Sequence, residues 1–466
     1  MINNKTGTLL LVIVMINKSI WIQSVQTKKN PKLKKDISVD VLIIGGGITG
    51  LTTAYCLKDS DLKVCLVERD EIAHGVSGKT TGKINYLQEF VYSDLEKKYS
   101  FYKAKEYLDS QREAVKRIED IINKENIKCD FEKVRSYLFT DKEDEIEKLE
   151  EEKDLLKKMG VKVIEHKEID EGVECKYAIS VSDTAVFNSV KYLTKLKEII
   201  QKHKVKIYED TCVYSLEEYK DSYLCKTDHA KIRAKKVVLA CHYPFFLKKY
   251  FLPARAYLER SYLSASKVNK AKKDTYITSS SPCKSIRYYS DKDKYKLYVS
   301  NSHNICNDLN YQSNVKELLN DLKVMNLKPE YMWINEDLIT IDRMPYIGRI
   351  KKEDSNLLIG TGYNTWGMTN GTLAGFILSD IVLGRKNSYE ELFDPLRNEV
   401  FVNIDSYIIN VLSSAKGYVQ NKLFKDKVWY KDILDLKLEK VKVLLYMMMV
   451  IQNILYIINV HIWDVV

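Results

Sequence analysis

The sequence predicts an α/β fold in which a parallel sheet is interrupted by a second, α+β domain with a mostly antiparallel sheet. Val39–Ile44 and Leu62–Val67 are short apolar runs typical of buried parallel strands, and the helical stretch Leu51–Leu57 lies between them. Later apolar runs at Val205–Tyr208 and Val237–Ala240 indicate further strands of the same layer. This order of strand, helix and strand is that of a nucleotide-binding unit.

Two other stretches predict the second domain. Residues 91–158 alternate charged and apolar positions at helical spacing, which predicts helices. The stretch 257–300 is rich in Tyr and Ser, and the alternation over Lys294–Val299 predicts antiparallel strands. No internal repeat interrupts this order, so we expect one nucleotide-binding domain with the second domain inserted into it.

The composition excludes several protein classes. The chain has 466 residues, of which 45% are hydrophobic and 30% are charged, so it is neither fibrous nor wholly disordered. The net charge is +10, but the basic residues are scattered beside acidic ones rather than gathered in a stripe, which argues against nucleic-acid binding. Nine cysteines without CxxC or paired spacing predict reduced thiols, a cytoplasmic location and no metal site.

A glycine motif lies directly between the first predicted strand and helix. Gly45 permits a tight turn, Gly47 lets the backbone approach a pyrophosphate, and Gly50 lets the helix pack close to the strand. The amides that open the helix would then face the phosphates, and the motif residues Ile48 and Thr49 are counted in the predicted cofactor site. The motif therefore predicts a Rossmann-like dinucleotide site, whereas a purely structural glycine turn is the alternative.

An acidic residue follows at the expected distance. Glu68, with Arg69 beside it, comes at the end of the second predicted strand. A carboxylate at this position binds the ribose hydroxyls of a dinucleotide. Its presence makes the glycine motif far more specific than the glycines alone.

Further segments favour FAD over NAD. A stretch rich in glycine and hydroxyl groups follows Glu68 and offers donors for a second phosphate and an isoalloxazine: Ser77, Thr80, Thr81 and Lys83. The strand that ends at Ala240 has a sharp exit at Pro244. A last apolar strand with a glycine turn at Gly362 leads into an apolar helix over 373–383. Amides at the start of that helix would stabilise a reduced flavin. The residues just before the helix are therefore cofactor candidates: Trp366, Gly367, Met368 and Thr369.

On these residues, the stretch 36–396 resembles FAD-dependent oxidoreductases of the D-amino-acid-oxidase-like superfamily, which includes glycine and sarcosine oxidases. It is most similar to the bacterial branch that carries a C-terminal Rieske domain. The matching segments are the first glycine motif, 80–83, 240–245, 333–337, 342–348 and 366–371. The resemblance implies that a flavin takes hydride from a C–N bond of a small amine or amino acid. It also implies that Val213 meets the adenine and that Gly348 belongs to the cofactor site.

The resemblance divides the chain into segments. These are an N-terminal extension (1–35), three FAD-binding segments (36–95, 186–256 and 333–396), two substrate-domain segments (96–185 and 257–332), a linker with a helical part (397–437) and an apolar tail (438–466).

Three residues are candidates for contact with the substrate. Arg287 could clamp a substrate carboxylate bidentately, with a surface salt bridge as the alternative. His242, which follows a strand, and His303 are catalytic candidates, with a packed or cofactor-adjacent histidine as the alternative. Residues 300–304 depart from the branch, which has a glycine pair before its histidine. The resemblance therefore does not carry over the substrate contacts of this loop.

Both ends of the chain have more than one interpretation. The apolar run at 9–16 has the size of a signal-peptide core but lacks a cleavage site, and translation from Met15 would remove most of it. The uncharged stretch Val443–Trp463 follows several lysines and is either a membrane anchor or a genuine helix. A third hypothesis is a frameshift near 437–441, because the codons of Asn459–Val465, read in another frame, permit a Rieske ligand box.

The function expected from the sequence is therefore an FAD-dependent oxidoreductase acting on a small amine or amino acid, with no electron acceptor specified. A flavin enzyme acting on tRNA is one alternative, and a salt-dependent tRNA gel shift would support it. A cofactor-binding remnant without turnover is the other.

Overall fold

The computed structural model of the protein describes residues 19–171, 173–243, 255–280, 282–305, 311–351 and 355–397. The apolar run at 9–16, the alternative start at Met15 and the tail at 438–466 lie outside these residues. Among the helices of the described residues, none is long and apolar enough to cross a membrane.

The strands are spread along the whole described chain. In chain order they are β1 (Ile37–Ile44), β2 (Val64–Val67), β3 (Lys83–Ile84), β4 (Glu132–Thr140), β5 (Val163–His166), β6 (Tyr177–Val186), β7 (Lys206–Tyr208), β8 (Val213–Tyr219), β9 (Ser222–Thr227), β10 (Lys231–Leu239), β11 (Ala256–Lys267), β12 (Thr275–Thr278), β13 (Cys283–Ser290), β14 (Lys294–Ile305), β15 (Pro329–Thr340), β16 (Tyr346–Arg349) and β17 (Leu357–Thr361).

The helices connect these strands. In chain order they are α1 (Ile20–Gln23), α2 (Ile48–Leu57), α3 (Val91–Lys98), α4 (Phe101–Lys124), α5 (Ile146–Lys158), α6 (Ser189–Lys202), α7 (Tyr311–Val324) and α8 (Gly367–Val382).

The first sheet is the predicted parallel layer. Within the described residues its order is β16-β17-β10-β1-β2-β7, and the hairpin β8–β9 attaches to β10. The pairs from β17 through β10, β1 and β2 to β7 are all parallel. Ile44 pairs with Val67, so β1 and β2 end level with each other. The carboxyl ends of the strands therefore form one edge, which is where ligands bind in such sheets.

The second sheet confirms the mostly antiparallel domain. Its order within the described residues is β15-β11-β14-β13-β12-β4-β6-β3, with β5 beside β6. The pair β4–β12 is parallel and the other pairs are antiparallel. In the chain, β3–β6 of this sheet precede β7–β10 of the first sheet, and β11–β15 follow them. The chain therefore passes between the two sheets repeatedly.

Helices α2 and α8 pack closely against each other above the first sheet. An added Cβ at Gly371 would lie 2.5 Å from the Ile48 side chain, and one at Gly375 would lie 2.5 Å from Thr52 Cβ. Because these glycines lack side chains, the two helices approach more closely than larger residues would allow. The N-termini of both helices consequently lie near the same edge of the sheet.

Two details of the predicted elements were wrong. The stretch 91–158 is not uniformly helical, because β4 lies between α4 and α5 and belongs to the second sheet. The last helix begins at Gly367 rather than near Leu373. The glycines and threonines that open it have low helix propensity, but packing against α2 stabilises the helical conformation there.

Candidate cofactor and substrate site

A cavity of about 720 Å³ lies at the carboxyl edge of the first sheet. Its walls include Ile44, Val67 and Ala240, which end or follow β1, β2 and β10. The N-terminal residues of α2 and α8 and the loop 75–80 complete it on the same side. Residues 334–337 of β15 line it from the second sheet.

The turn before α2 is shaped by its glycines. Gly45 has a φ of +115°, and a Cβ there would overlap the carbonyl of Ala240. A Cβ at Gly50 would overlap the carbonyl oxygen of Gly45, so this glycine sets the packing of helix on strand rather than lining the cavity. The Ile48 amide donates to Ser77 Oγ at 3.0 Å, which joins the turn to the loop 75–80.

Glu68 lies on the cavity wall at the end of β2. Its two carboxylate oxygens accept hydrogen bonds from the amides of Gly46 (2.7 Å) and Asp70 (3.0 Å). Burial raises the pKa of this carboxyl above its usual range, and these two amide bonds oppose the shift. Arg69 lines the same cavity and pairs with Asp70. The carboxylate is thus fixed by backbone on one side and faces the cavity on the other.

A second, smaller cavity of about 80 Å³ adjoins the first. The residues that line both are Thr80, Asn335, Asp337, Thr365 and Met368. Its remaining walls come from the second sheet, including Ile277 and Val299, and from the start of α8. The two cavities therefore meet at the boundary between the two domains.

Lys83 is the only basic side chain among the described residues that line the smaller cavity. Its Nζ donates to Ser285 Oγ at 2.6 Å and to the Tyr276 carbonyl at 2.9 Å. Burial lowers the pKa of this amine to about 7, and Cys283 partly opposes the shift. At neutral pH the lysine is therefore divided between its charged and neutral forms.

Most of the residues predicted for the cofactor come together in these cavities. Those that line the larger cavity are Gly45, Gly47, Ile48, Thr49, Glu68, Arg69, Ser77, Thr80, Val213, Ala240, Gly367 and Met368. Those that line the smaller cavity are Thr80, Thr81, Lys83, Trp366, Met368 and Thr369.

Two other predicted glycines line neither cavity among the described residues. Gly348 has a φ of +146°, and a Cβ there would lie 3.0 Å from Pro395. A Cβ at Gly362 would lie 2.5 Å from Thr340 Cγ2. Both glycines therefore serve close packing around β15 and β16.

His242 lies on the wall of the larger cavity, in a left-handed conformation with φ +61°. Its carbonyl accepts a hydrogen bond from the Thr361 hydroxyl. Burial lowers the pKa of its imidazole to about 4, so the ring is neutral at physiological pH. Its Nε2 has no hydrogen-bond partner among the described residues. A neutral ring on this wall suits contact with a cofactor better than acid catalysis.

The structure does not bring Arg287 to either cavity. Its side chain is 2% exposed, its guanidinium donates to the Thr81 carbonyl, and its Cζ lies 4.8 Å from the centre of the Trp21 ring. It cannot clamp a substrate from there, because the loop 80–82 lies between it and the smaller cavity. His303 lies in β14, and its side chain is outside the described part of the structure.

Sequence reasoning missed several residues of the site. Asn335 and Asp337 lie on the same face of β15 and line both cavities, as Thr365 does, and Tyr363 lines the larger one. The run of three polar residues at 335–337 was the available signal, since Asn335 and Asp337, two positions apart in a strand, share a face. That signal does not tell which face of the sheet meets the cofactor.

A family model described as FAD dependent oxidoreductase (DAO) matches residues 40–381. The chain belongs to this family. It is thus an FAD-dependent oxidoreductase, and the resemblance seen in the sequence is confirmed.

Known proteins agree with this assignment. The putative Rieske 2Fe-2S iron-sulfur protein YhfW of Bacillus subtilis is 29% identical over 422 residues, which are 89% of this chain and 82% of that protein. The gamma-glutamylputrescine oxidoreductase of Escherichia coli is 23% identical over 398 residues, 80% of this chain and 88% of that protein. The crystal structure of glycine oxidase from Geobacillus kaustophilus superposes with a TM-score of 0.66 at 17% identity, over 78% of this chain and 99% of that one. The first of these relatives is consistent with the Rieske-associated branch.

The residues present fit FAD. The larger cavity extends along the strand ends. Gly47 keeps it open beside the turn, because a side chain there would place a Cβ 3.0 Å from Ser77 Oγ. Two buried polar atoms on its wall, His242 Nε2 and Asn335 Oδ1, have no partner among the described residues. When bound, FAD supplies the hydride acceptor that protein side chains lack.

Proposed function

We propose that the enzyme oxidises a C–N bond of a small amine or amino acid, with the hydride passing to FAD. The observation that carries the proposal is the smaller cavity, which opens onto the larger one at Thr80, Asn335 and Asp337. Its volume of about 80 Å³ suits a small substrate rather than a macromolecule. The relatives support the chemistry, because one is named for γ-glutamylputrescine and another is glycine oxidase.

On this proposal the cofactor residues of the larger cavity keep the roles that the sequence analysis expected, whereas Lys83 is assigned to the substrate instead. The turn at Gly45 and Gly47 and the amides that open α2 would hold the pyrophosphate, because a helix N-terminus attracts anions. Glu68 would accept hydrogen bonds from ribose hydroxyls. Val213 would lie against the adenine.

Lys83 would act on the substrate side. Its charged form would donate to a substrate carboxylate, and its neutral form would accept a proton at Nζ from the substrate ammonium. Hydride transfer needs a neutral amine, so a lysine whose pKa is about 7 is suited to that task. Leu263, Ile277 and Val299 would exclude water from the substrate carbon.

Anaerobic bleaching of the flavin tests the proposal. The FAD-loaded enzyme is mixed with a panel of small amines and amino acids, and the loss of visible flavin absorbance is followed. We expect at least one compound to bleach the flavin. An enzyme whose flavin is bleached by dithionite but by no member of the panel would contradict the proposal.

A matched variant separates the two cavities. Ile277→Phe fills the smaller cavity, and Ile277 does not line the larger one. This variant should retain FAD and lose bleaching by the substrate. If it is bleached as fast as the parent enzyme, the smaller cavity is not the substrate site.

A further inference from the structure

The loop 78–82, which separates Arg287 from the cavities, is held by an unusual set of hydrogen bonds. Each of its successive backbone carbonyls accepts a hydrogen bond from a distant part of the chain. Ser19 Oγ donates to Gly78 O (2.6 Å), Trp333 Nε1 to Lys79 O (2.7 Å), Trp21 Nε1 to Thr80 O (2.6 Å), Arg287 Nη1 to Thr81 O and Phe187 N to Gly82 O (3.1 Å).

The side chains that make these bonds are among the most deeply buried in the protein. Trp21 is 0% exposed, Trp333 is 1% exposed and Arg287 is 2% exposed. They also support one another, since the Arg287 guanidinium stacks on the Trp21 ring with 4.8 Å between Cζ and the ring centre. Burial lowers the pKa of Arg287 to about 9, which still leaves it charged at neutral pH.

The bonds also fix the direction of the loop amides. In a trans peptide, the N–H of one residue points opposite to the carbonyl of the residue before it. The bonds from Trp333 and Trp21 therefore turn the amides of Thr80 and Thr81 away from the two indole rings. Neither amide donates to an acceptor within the described residues. Thr80 lines both cavities and Thr81 the smaller one, so both donors lie where the cofactor cavity and the smaller cavity meet.

We propose that Ser19, Trp21 and Trp333 are positioning residues for FAD, and that the segment before β1 is thus a working part of the cofactor site. They hold the loop 78–82 in the one conformation that presents the Thr80 and Thr81 amides to the flavin. Ser19 and Trp21 lie before the family match, which begins at residue 40. The inference rests on FAD being the cofactor and is independent of the substrate.

The expected effect follows from conformational selection. A ligand that binds one loop conformation loses apparent affinity in proportion to the population of that conformation. Removing one donor leaves a buried carbonyl without its partner and favours other loop conformations. Each lost bond should therefore weaken FAD binding about fivefold.

Conservative variants test the inference. Trp21→Phe removes the N–H but keeps an aromatic ring, Ser19→Ala removes only a hydroxyl, and Trp333→Phe repeats the test from the second sheet. Tyr86→Phe is the matched control, because Tyr86 is also buried and donates to a carbonyl, that of Ser182 at 2.8 Å, but lines neither cavity. For each protein the FAD dissociation constant is measured by flavin fluorescence, and the unfolding midpoint of the apoprotein by circular dichroism.

The inference predicts a specific pattern. Trp21→Phe and Ser19→Ala should each bind FAD about fivefold more weakly and shift the visible flavin spectrum, while Tyr86→Phe stays within about twofold of the parent. Adding Trp333→Phe to Trp21→Phe should weaken binding further. Parent-like FAD affinity in all the loop variants would overturn the inference. Equal weakening in Tyr86→Phe, with a matching fall in its unfolding midpoint, would overturn it as well, because the effect would then be general destabilisation.

The result is separable from that of the substrate proposal. An enzyme that no amine bleaches but that loses FAD in Trp21→Phe would support this inference and contradict the other.

Discussion

The hydroxyls of Thr49 and Tyr363 lie 2.7 Å apart and join the two helices whose N-termini open onto the cofactor cavity. Thr49 is in the first turn of α2, and Tyr363 precedes α8 by one turn. Both side chains line the larger cavity, and burial raises the pKa of the tyrosine well above its usual range. This bond links the first glycine motif to the last strand–helix unit of the first sheet across more than three hundred residues of chain.

A double-mutant cycle should detect this link. Tyr363→Phe and Thr49→Val each remove one hydroxyl of the pair. The two losses in unfolding free energy should be non-additive by about 1 kcal/mol, because the second substitution removes a bond that is already broken. Urea unfolding of the parent, the two single variants and the double variant measures the coupling. Additive losses would show that the hydroxyls do not interact.

The glycines of α8 should respond oppositely to the same substitution. An added Cβ at Gly375 meets Thr52 Cβ at 2.5 Å and the Thr53 amide at 3.0 Å, whereas one at Gly367 meets nothing within 4 Å. Gly375→Ala should therefore lower the unfolding free energy by about 1–3 kcal/mol. Gly367→Ala should leave it unchanged or raise it by up to about 1 kcal/mol through better helix propensity. Unfolding of the apoproteins in urea measures both, and equal effects would contradict the close packing of the helices.

Glu68 should contribute directly to FAD binding. Glu68→Gln removes the charge that would hold the ribose hydroxyls, and should weaken FAD binding by about tenfold or more, since bonds to charged groups contribute about 1.5–3 kcal/mol. Glu71→Gln is the control, because Glu71 pairs with Lys29 at 3.4 Å and lies outside both cavities. Isothermal titration of each apoprotein with FAD compares them. Similar affinities for the two variants would remove Glu68 from the cofactor site.

The part of the site that the sequence predicts well is the part built from consecutive residues. The turn at Gly45, the start of α2 and the acidic residue at Glu68 follow from local backbone rules, so the motif alone locates them. The fold class follows in the same way, because buried parallel strands and antiparallel strands have different patterns of apolar residues.

The part that the sequence did not predict depends on contacts between distant segments. Arg287 was interpreted as a substrate clamp because a guanidinium can bind a carboxylate bidentately. The structure instead places Arg287 under the loop 80–82. Its hydrogen bond to Thr81 joins residues 206 positions apart in the chain, and that of Trp333 to Lys79 joins residues 254 positions apart. No local pattern distinguishes a buried arginine that binds a carbonyl from one that binds a ligand. Trp21, in a segment taken as an extension, was missed for the same reason.

Lys83 makes the stability of the apoprotein depend on pH in an unusual direction. The pKa of its amine is about 7 in the folded protein and near the ordinary value of 10.5 in the unfolded chain. Between these values the unfolded chain holds a proton that the folded protein lacks, so folding becomes more favourable as the pH rises. Below pH 7 the folded protein carries the buried charge, and its stability is lowest there.

Lys83→Met removes this dependence while keeping the length of the side chain. Between pH 7 and pH 9.5 the unfolding free energy of the parent should rise by about 3 kcal/mol relative to that of the variant, because only the parent has the lysine whose titration stabilises the fold. Urea unfolding of both apoproteins at the two pH values measures it. Ser285→Ala, which removes the hydroxyl beside Nζ but keeps the amine, should retain the dependence of the parent. A constant difference between Lys83→Met and the parent would mean that the lysine keeps its proton in the folded protein, and Nζ would then be unsuited to accept a proton from the substrate.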